Sequence, residues 1–259
     1  MPTILRPSRA LFRFSGADAQ KLLFDVVTGR LVTEPGPAVW WALLSPQGKI
    51  QAEGLSTYAD DAFWLDVDSG VADAFHKRMR MYKLRAAVEI ADLRETHAVG
   101  WDGSAPHTHV VGTKAESAQW DGADSSYDAA RIERGIAELG PDFSGDQMFP
   151  HDIAMDLLGG VDFKKGCYIG QEVVSRMEHR GTARRRPVIV AGVDAPTGSA
   201  VVAGGREAGT IGRVVSGRAV AVVRLDRFDG GEVTVEGKPV TVSLPEWATY
   251  RLGESAVEA

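Results

Sequence analysis

The sequence predicts an α+β protein, in which a body of helices and strands is followed by a separate all-β domain. Helix-type and strand-type patterns alternate over the first part of the chain. After the arginine run 184–186 and Pro187, short β-rich runs with intervening glycines follow, and their spacing suits a small barrel or sandwich. We therefore predict two domains, 1–186 and 187–259, since 259 residues are enough for two or three compact units.

The chain is predicted to begin with a strand followed by a helix. Residues 11–14 have the pattern of a short strand. Ser15 is expected to cap the helix, with Asp18 in its first turn and Thr28-Gly29 at its end. The apolar residues of this helix fall on one face, which predicts that it packs on a core.

A β-meander is predicted next. Residues 38–44 form an apolar run of strand length, residues 50–58 are expected to be the returning strand, and residues 63–67 a third strand. The turn Ser45–Lys49, with proline at its second position, joins the first two strands, and Asp60-Asp61 separates the last two.

Further elements complete the predicted body. Residues 68–83 place their apolar side chains on one face, which predicts a helix, and basic residues gather at its C-terminal end. Strands are predicted at 84–91 and 109–111, and a third helix at 127–137.

The composition excludes several classes of protein. A content of 44% apolar and 25% charged residues is ordinary for a globular protein and rules out wholesale disorder. The net charge of −6 gives no general affinity for nucleic acid, and a single cysteine allows no internal disulfide. Because no signal-peptide pattern and no apolar run of about 18 residues is present, we expect a cytoplasmic protein without membrane contact.

The one cysteine lies in a glycine-flanked and positively charged segment. Cys167 follows two lysines and Gly166, and Gly170 precedes a run that would be helical to His179. A charged turn beside a helix N-terminus lowers a cysteine pKa below its usual value of about 8.5 and favours the reactive thiolate. Such a turn is also suited to hold an anion or a carbonyl-rich heterocycle. The alternative interpretation is a small, buried core residue.

The segment around the cysteine resembles a known signature. KKGCYIGQE closely resembles the K-G-C-Y-x-G-Q-E motif of the YgfZ family, which comprises folate-binding relatives of the glycine-cleavage T-protein, an aminomethyltransferase. The motif residues expected at the site are Lys164, Lys165, Gly166, Cys167, Tyr168, Gly170, Gln171 and Glu172. Other segments resemble this family in the same order along the chain, at 14–19, 45–50, 132–136, 152–163 and 181–186.

The resemblance implies a fold and a cofactor. The fold would be the T-protein (GcvT-like) one, with a folate-binding body of mixed and antiparallel sheets and helices, and an antiparallel C-terminal β-barrel. Tetrahydrofolate or a related folate would be the ligand, and Glu133 matches the glutamate that contacts the pterin ring in T-proteins. A carboxylate can accept two hydrogen bonds from the pterin amino group and ring N–H. The alternative is a surface glutamate paired with Arg134 or Arg131.

One departure from the T-proteins concerns the reaction. T-proteins carry an Asp-Asp pair in the strand after the glycine-containing turn, and the resemblance places Ala52 and Glu53 there. The loss of one carboxylate puts aminomethyl transfer in doubt, whereas Glu53 stays a candidate cofactor-side residue.

Basic and histidine residues offer further candidates. The patch His76, Lys77, Arg78, Arg80, Lys83 and Arg85 is either a solvated helix end or a docking site for a folate polyglutamate tail or RNA phosphates. Arg176 and Arg180 would share a helix face and could hold an anion beside the thiol, although a plain charged linker is an equal alternative. Arg176 is also a candidate cofactor-binding residue for the folate. His97, His107 and His109 lack cysteine or carboxylate partners at metal-like spacing, so no metal is predicted.

Three functions follow from these features. The first is a folate-binding accessory protein that supports assembly or repair of Fe–S clusters in client enzymes, including those that thiomodify tRNA. One cysteine is too few to hold a cluster alone, so clients or cluster carriers would be transient partners. The second is a folate-dependent aminomethyl or one-carbon transferase, or a demethylase. The third, a direct tRNA-binding module, is disfavoured by the acidic net charge.

Overall fold

The computed structural model describes residues 3–121, 124–181 and 183–253, so the predicted domain end at 254–259 lies outside the described residues. The strands of the body are β1 (Ile4–Leu5), β2 (Arg9–Ser15), β3 (Val39–Leu44), β4 (Ile50–Ala59), β5 (Ala62–Asp68), β6 (Glu89–Asp92), β7 (His97–Trp101) and β8 (Val110–Thr113). Its helices are α1 (Ala19–Val26), α2 (Ala72–Lys83), α3 (Lys114–Ser117), α4 (Asp124–Glu133) and α5 (Gln171–Arg180).

The C-terminal part consists of strands and short connections. These strands are β9 (Arg185–Ala191), β10 (Ala200–Ala203), β11 (Arg206–Ile211), β12 (Arg218–Arg224), β13 (Val233–Val235), β14 (Lys238–Pro239) and β15 (Thr241–Ser243). They form one antiparallel sheet in the order β14-β13-β10-β11-β12-β9-β15, which curls around its own apolar core of mostly valine and alanine.

Two antiparallel sheets form the body. The larger one has the order β3-β4-β5-β2-β6, and the smaller one has the order β1-β7-β8. Helices α1 and α2 cover one face of the larger sheet and bury phenylalanine and leucine side chains against it. The other face packs on a second core that includes residues after α4 and reaches the barrel strand β12. Alternate residues of these strands therefore pack into two different cores, one on each face of the sheet.

The first helix begins later than the sequence predicts. Ser15 is the last residue of β2 and pairs with Ala62 and Glu89, so it does not cap the helix. Asp18 is the residue before α1, and its side chain accepts a hydrogen bond from the backbone N–H of Ala87 at 2.7 Å. A tertiary contact thus occupies the side chain that sequence rules assign to the first helical turn.

Other boundaries also differ from the predictions. Helix α4 ends at Glu133 rather than at residue 137, because Gly135 has a φ of 67° and the chain turns back there. The strand predicted from residue 84 begins at Glu89, since residues 83–86 form a tight turn. None of the helices among the described residues has the length and apolar character needed to cross a membrane.

Candidate functional site

The cysteine motif forms a loop that is fixed on both sides of an exposed thiol. Cys167 is free and exposed, so the alternative of a buried core residue is wrong. Tyr168 beside it is buried, and Ile169 packs against the core under α1 and α2. Lys165, two residues earlier, is buried as well. The loop therefore presents its sulfur to solvent from an anchored backbone.

Lys165 has a different role from the predicted one. Its Nζ donates hydrogen bonds to the carbonyl oxygens of Phe24 at 2.8 Å, Val27, and Gly29 at 3.3 Å. Burial lowers the pKa of this ammonium to about 8. Phe24 lies in the last turn of α1, where backbone acceptors lack helical partners, and Val27 and Gly29 follow the helix. One of the two lysines expected to stabilise a thiolate is thus committed to holding the loop on α1.

The glutamate of the motif pairs with the arginine proposed for cofactor binding. Arg176 Nη2 donates to Glu172 Oε1 at 2.7 Å, one turn apart on α5, and both side chains are exposed. Such a surface pair contributes little to stability. The structure thus gives Arg176 a local partner, and its predicted contact with folate stays untested.

The glycines of two sequence motifs pack against each other. Gly170 has a φ of 79°, and a Cβ placed there would lie 2.7 Å from the carbonyl oxygen of Ser45 and 3.1 Å from Gly48 Cα. A Cβ on Gly48 would in turn lie 2.9 Å from Cβ of Val173 in α5. The turn Ser45–Lys49 therefore supports the start of α5, immediately after the cysteine loop.

Glu53 lies inside the body rather than at an open site. Its side chain is 2% exposed, Trp40 Nε1 donates to its Oε2 at 2.6 Å, and the backbone N–H of Leu139 donates to its Oε1 at 3.1 Å. Arg9 Nη1 is 3.8 Å from Oε1. Burial raises the pKa of this carboxyl to about 7, although Arg9 opposes the shift. All these partners belong to the protein, so the structure gives no support to Glu53 as a folate contact.

A network of buried charges surrounds Glu53 and was not predicted. Arg9 Nε donates to Asp66 at 2.7 Å, and its Nη1 lies 3.4 Å from Glu138. Arg6 donates to both oxygens of Glu138, at 3.0 and 2.9 Å. The one signal in the sequence was a single charge inside an apolar strand, as for Asp66 in Phe-Trp-Leu-Asp-Val. Each such charge needs a partner when it is buried.

Two histidines that were assigned to a loop lie against this network. The ring of His107 is 4.7 Å from that of Trp40, and burial lowers the pKa of His107 to about 4, so it is neutral at pH 7. His109 Nε2 lies 3.0 Å from Asp66 Oδ2. The expectation that these histidines lack a carboxylate neighbour is therefore wrong for His109, whose neighbour comes from β5.

Glu133 occupies a separate and open place. It is the last residue of α4, is exposed, and lines a surface cavity of about 620 Å³ with Arg134, Glu246 and Trp247. Trp247 Nε1 donates to the backbone oxygen of Arg134 at 2.6 Å, which fixes the indole at the rim. Glu133 forms no salt bridge with any residue in the described ranges. The alternative pairing with Arg131 is wrong, because that guanidinium binds Asp128 and Asp142 instead.

A group with metal-ligand atoms lies near α5. His151, Asp156 and Glu178 each place one such atom within 4.8 Å of the others. Arg186 donates to both oxygens of Asp156, at 2.7 and 2.9 Å, so a guanidinium already balances that carboxylate. His151 Nε2 lies 3.2 Å from Glu178, and the prediction that the protein holds no metal stays untested.

Comparison with known proteins supports the fold. The glycine cleavage system aminomethyltransferase T from Bartonella henselae superposes with a TM-score of 0.74 over 96% of this chain and 87% of its own, at 15% identity. The predicted α+β fold class with a C-terminal antiparallel barrel is thereby confirmed. Residues 183–250 match the family described as CAF17, C-terminal beta-barrel domain.

The sequence relatives of this chain share one name. The iron-sulfur cluster assembly factor IBA57 homolog, mitochondrial, of Pyricularia oryzae is 30% identical over 69% of this chain and 54% of its own length. The homologues of Mycosarcoma maydis and Chaetomium globosum are 28% and 29% identical over 70% and 69% of the chain, and 55% and 53% of their own lengths. The chain therefore spans about half the length of these curated relatives.

These names correct one prediction and leave another open. The relatives are named mitochondrial, and this contradicts the prediction of a cytoplasmic protein, which is therefore wrong. The comparisons support a broad relationship to CAF17-type and IBA57-type proteins on the aminomethyltransferase fold. The narrower resemblance to the YgfZ family stays a prediction.

Proposed function

We propose that this chain is an iron–sulfur cluster assembly factor that uses an exposed thiol on an aminomethyltransferase-type body. The names of its relatives support this function. The observation that carries it is Cys167, exposed on a loop whose neighbours Lys165 and Tyr168 are buried. A sulfur held in that way meets an approaching protein without a large ordering cost.

The cluster is the cargo of this protein and not a resident group. Clusters are usually held by about four thiolates, so one cysteine supplies only part of a coordination shell. A client enzyme or a cluster carrier provides the other ligands during a transient contact, and Cys167 occupies one position. Enzymes that thiomodify tRNA are among the proposed clients, with the tRNA bound by the client rather than by this chain.

Tetrahydrofolate is the proposed small-molecule ligand of the body. The cavity of about 620 Å³ is within the size range of small-molecule sites, and it combines the Glu133 carboxylate with the indole of Trp247. This set fits a pterin, because the carboxylate accepts from the amino group and ring N–H while an aromatic wall covers the ring face. The bound folate would stabilise the protein and mark its ligand-bound state, and it would not be chemically converted.

Complementation tests the thiol. In cells lacking this protein, Cys167→Ser is expected to abolish restoration of Fe–S client activity, because serine is a poor cluster ligand at neutral pH. A second variant that combines Cys167→Ser with Ser69→Cys keeps one exposed thiol elsewhere and is expected to fail equally. Full restoration by either variant contradicts the proposed role.

Titration tests the ligand. Binding of tetrahydrofolate to purified protein, followed by calorimetry, is expected to weaken at least about tenfold in Glu133→Ala, the loss of a bidentate charged contact. Glu207→Ala removes an equally exposed carboxylate from the barrel and serves as the matched control. Equal affinities for the wild type and Glu133→Ala would place folate elsewhere.

The alternative function, a one-carbon transferase or demethylase, gains no support from the site. Glu53, which stands where T-proteins carry a carboxylate pair, is buried and hydrogen bonded to Trp40 and Leu139. Incubation with methylated amines and tetrahydrofolate is expected to yield no methylene-folate. Product formation that disappears in Glu53→Gln would instead establish the transferase.

A further inference from the structure

An exposed stripe runs along helix α2 on the side away from the core. Ala72, Phe75 and Met79 are buried, whereas the neighbouring face lines a surface cavity of about 380 Å³. The lining residues follow the i, i+3, i+4 spacing of one helix face and are Asp73, His76, Lys77, Arg80 and Met81. Met81 is 60% exposed although it is apolar.

Leu84 directly follows α2, three residues after Met81, and its backbone is held there at a conformational cost. The backbone N–H of Ala86 donates to the oxygen of Lys83 at 2.8 Å, so residues 83–86 form a β-turn with Leu84 at its second position. Leu84 has φ 45° and ψ −107°, the conformation that type II′ turns ordinarily assign to glycine. Its side chain is 85% exposed. The packing of this side chain within the monomer is therefore too small to offset the backbone strain at Leu84.

The two exposed apolar residues, Met81 and Leu84, lie among basic residues along the chain. None of five nearby basic side chains forms a salt bridge with a residue in the described ranges: Lys77, Arg78, Arg80, Lys83 and Arg85. A favourable interaction with the C-terminal end of α2 accounts for cations in its last turn. It does not account for two exposed apolar side chains among them, nor for a concentration of positive charge on a protein of net charge −6.

We propose that this surface of α2 and the following turn docks an acidic segment of a partner protein. Apolar side chains of that segment would cover Met81 and Leu84, and its carboxylates would pair with the surrounding lysines and arginines. Apolar anchors within a charged rim are typical of protein interfaces. Nucleic acid phosphates or a polyglutamate chain would use the cations but would leave both apolar side chains in water. The observations therefore favour a protein partner, and the proposal is independent of folate binding.

Fluorescence anisotropy with a designed probe tests the proposal. The probe is a labelled 15-residue helical peptide rich in glutamate with two leucines one turn apart, and a matched peptide carries serine in place of both leucines. A 20-nucleotide single-stranded RNA is the third ligand. The proteins are the wild type, Leu84→Ser, the double variant Lys77→Gln/Arg80→Gln, and the control Arg206→Gln/Arg218→Gln, which removes the same charge from the barrel.

The proposal predicts a specific result for each peptide and each variant. The leucine peptide is expected to bind the wild type at least fivefold more tightly than the serine peptide does. Leu84→Ser should remove that difference, Lys77→Gln/Arg80→Gln should weaken both peptides at least tenfold, and the barrel control should change neither. Any one of three results would overturn the proposal. These are no peptide binding at about 1 mM, the weakest affinity of interest, equal affinity for both peptides, and tighter binding of RNA than of either peptide.

Leu84→Gly separates docking from folding. Glycine adopts the observed backbone conformation without strain, and the wild-type side chain buries almost nothing. The variant is therefore expected to melt within about 2 °C of the wild type or above it, while it loses the preference for the leucine peptide. A clear fall in Tm would show that Leu84 serves the fold, and the docking surface would be rejected.

Discussion

The indole Nε1 of Trp40 donates a 2.6 Å hydrogen bond to Oε2 of Glu53, across the pairing of β3 with β4. The same carboxyl accepts from the backbone of Leu139, which follows α4. One acidic side chain thus joins the larger sheet to the segment that leads into the second core. Because burial raises its pKa to about 7, this junction is sensitive to pH near neutrality.

Replacement of Glu53 by glutamine is expected to change how stability depends on pH. The pKa of Glu53 rises from its ordinary 4.5 to about 7 in the folded protein. The folded state therefore binds a proton that the unfolded chain releases in this window, and the contribution of Glu53 becomes less favourable as the pH rises through it. From pH 5 to pH 8, the stability of the wild type relative to Glu53→Gln should fall by roughly 1–3 kcal/mol.

Urea denaturation at several pH values measures that difference. Titrating groups away from Glu53 are common to both proteins, so their contributions cancel in the comparison, whereas Glu138 acts on the charge of Glu53 and belongs to the measured effect. Glu246→Gln, which removes an exposed carboxylate at the cavity of Glu133, is the control for the loss of one acidic side chain. A difference for Glu53→Gln that does not vary with pH would mean that this carboxyl titrates alike in both states.

Lys165→Met is expected to destabilise the protein by about 2–4 kcal/mol, because it leaves carbonyl oxygens at the end of α1 without their ammonium donor. Lys164→Met is the matched control, since Lys164 is exposed and its side chain makes no hydrogen bond or salt bridge within the described residues. Chemical denaturation measures the free energy of unfolding of both variants. Equal stability would show that Lys165 contributes nothing to anchoring the loop.

The fold could be predicted further than the site. Strands are predicted at residues 50–58 and 63–67, and the structure has β4 and β5 there. The burial of Asp66 was not predictable, because its partner Arg9 lies 57 residues earlier and one sequence carries no record of that pairing. Likewise, the lysines of the cysteine motif look equivalent in sequence, and only the position of α1 distinguishes Lys165 from Lys164.

Strand β7 shows the same limit for local structure. His97–Trp101 contains glycine, alanine and histidine and carries little strand signal of its own. It becomes a strand by pairing with β8, the next strand along the chain, and with β1, which lies near the start of the chain. Propensity is overridden here by tertiary pairing.

Arg131→Met is expected to cost about 3–5 kcal/mol, because it leaves the buried carboxylate of Asp142 without its guanidinium partner and removes one of the two arginines that pair with Asp128. Arg131 Nε donates to Asp128 at 2.6 Å, and its other nitrogens bind Asp142, which also accepts from the backbone of Glu138 and Arg213. Arg134→Met, an exposed position three residues later, should change stability by less than about 0.5 kcal/mol. Denaturant titration compares them, and a small loss for Arg131→Met would show that the network relaxes or takes up water.

Gly170→Ala tests whether the turn Ser45–Lys49 holds the cysteine loop in place. A Cβ at Gly170 would lie 2.7 Å from the oxygen of Ser45, so α5 and the loop must move away from the turn. Gly159 has nearly the same φ, 77° against 79°, but a Cβ there would meet no atom within 4 Å. Gly159→Ala therefore reports the backbone strain alone, and the difference between the two variants isolates the steric contact.

We expect Gly170→Ala to be less stable than Gly159→Ala by roughly 1–3 kcal/mol, the usual range for an added atom in a packed site. Thiol labelling of Cys167 supplies a second readout, since a displaced loop should change its rate of reaction while Gly159→Ala leaves the rate as in the wild type. Equal stabilities and equal labelling rates would mean that the loop keeps its position without the packing of Gly170 on Ser45. The anchoring of the thiol would then have to come from Lys165 and Tyr168 alone.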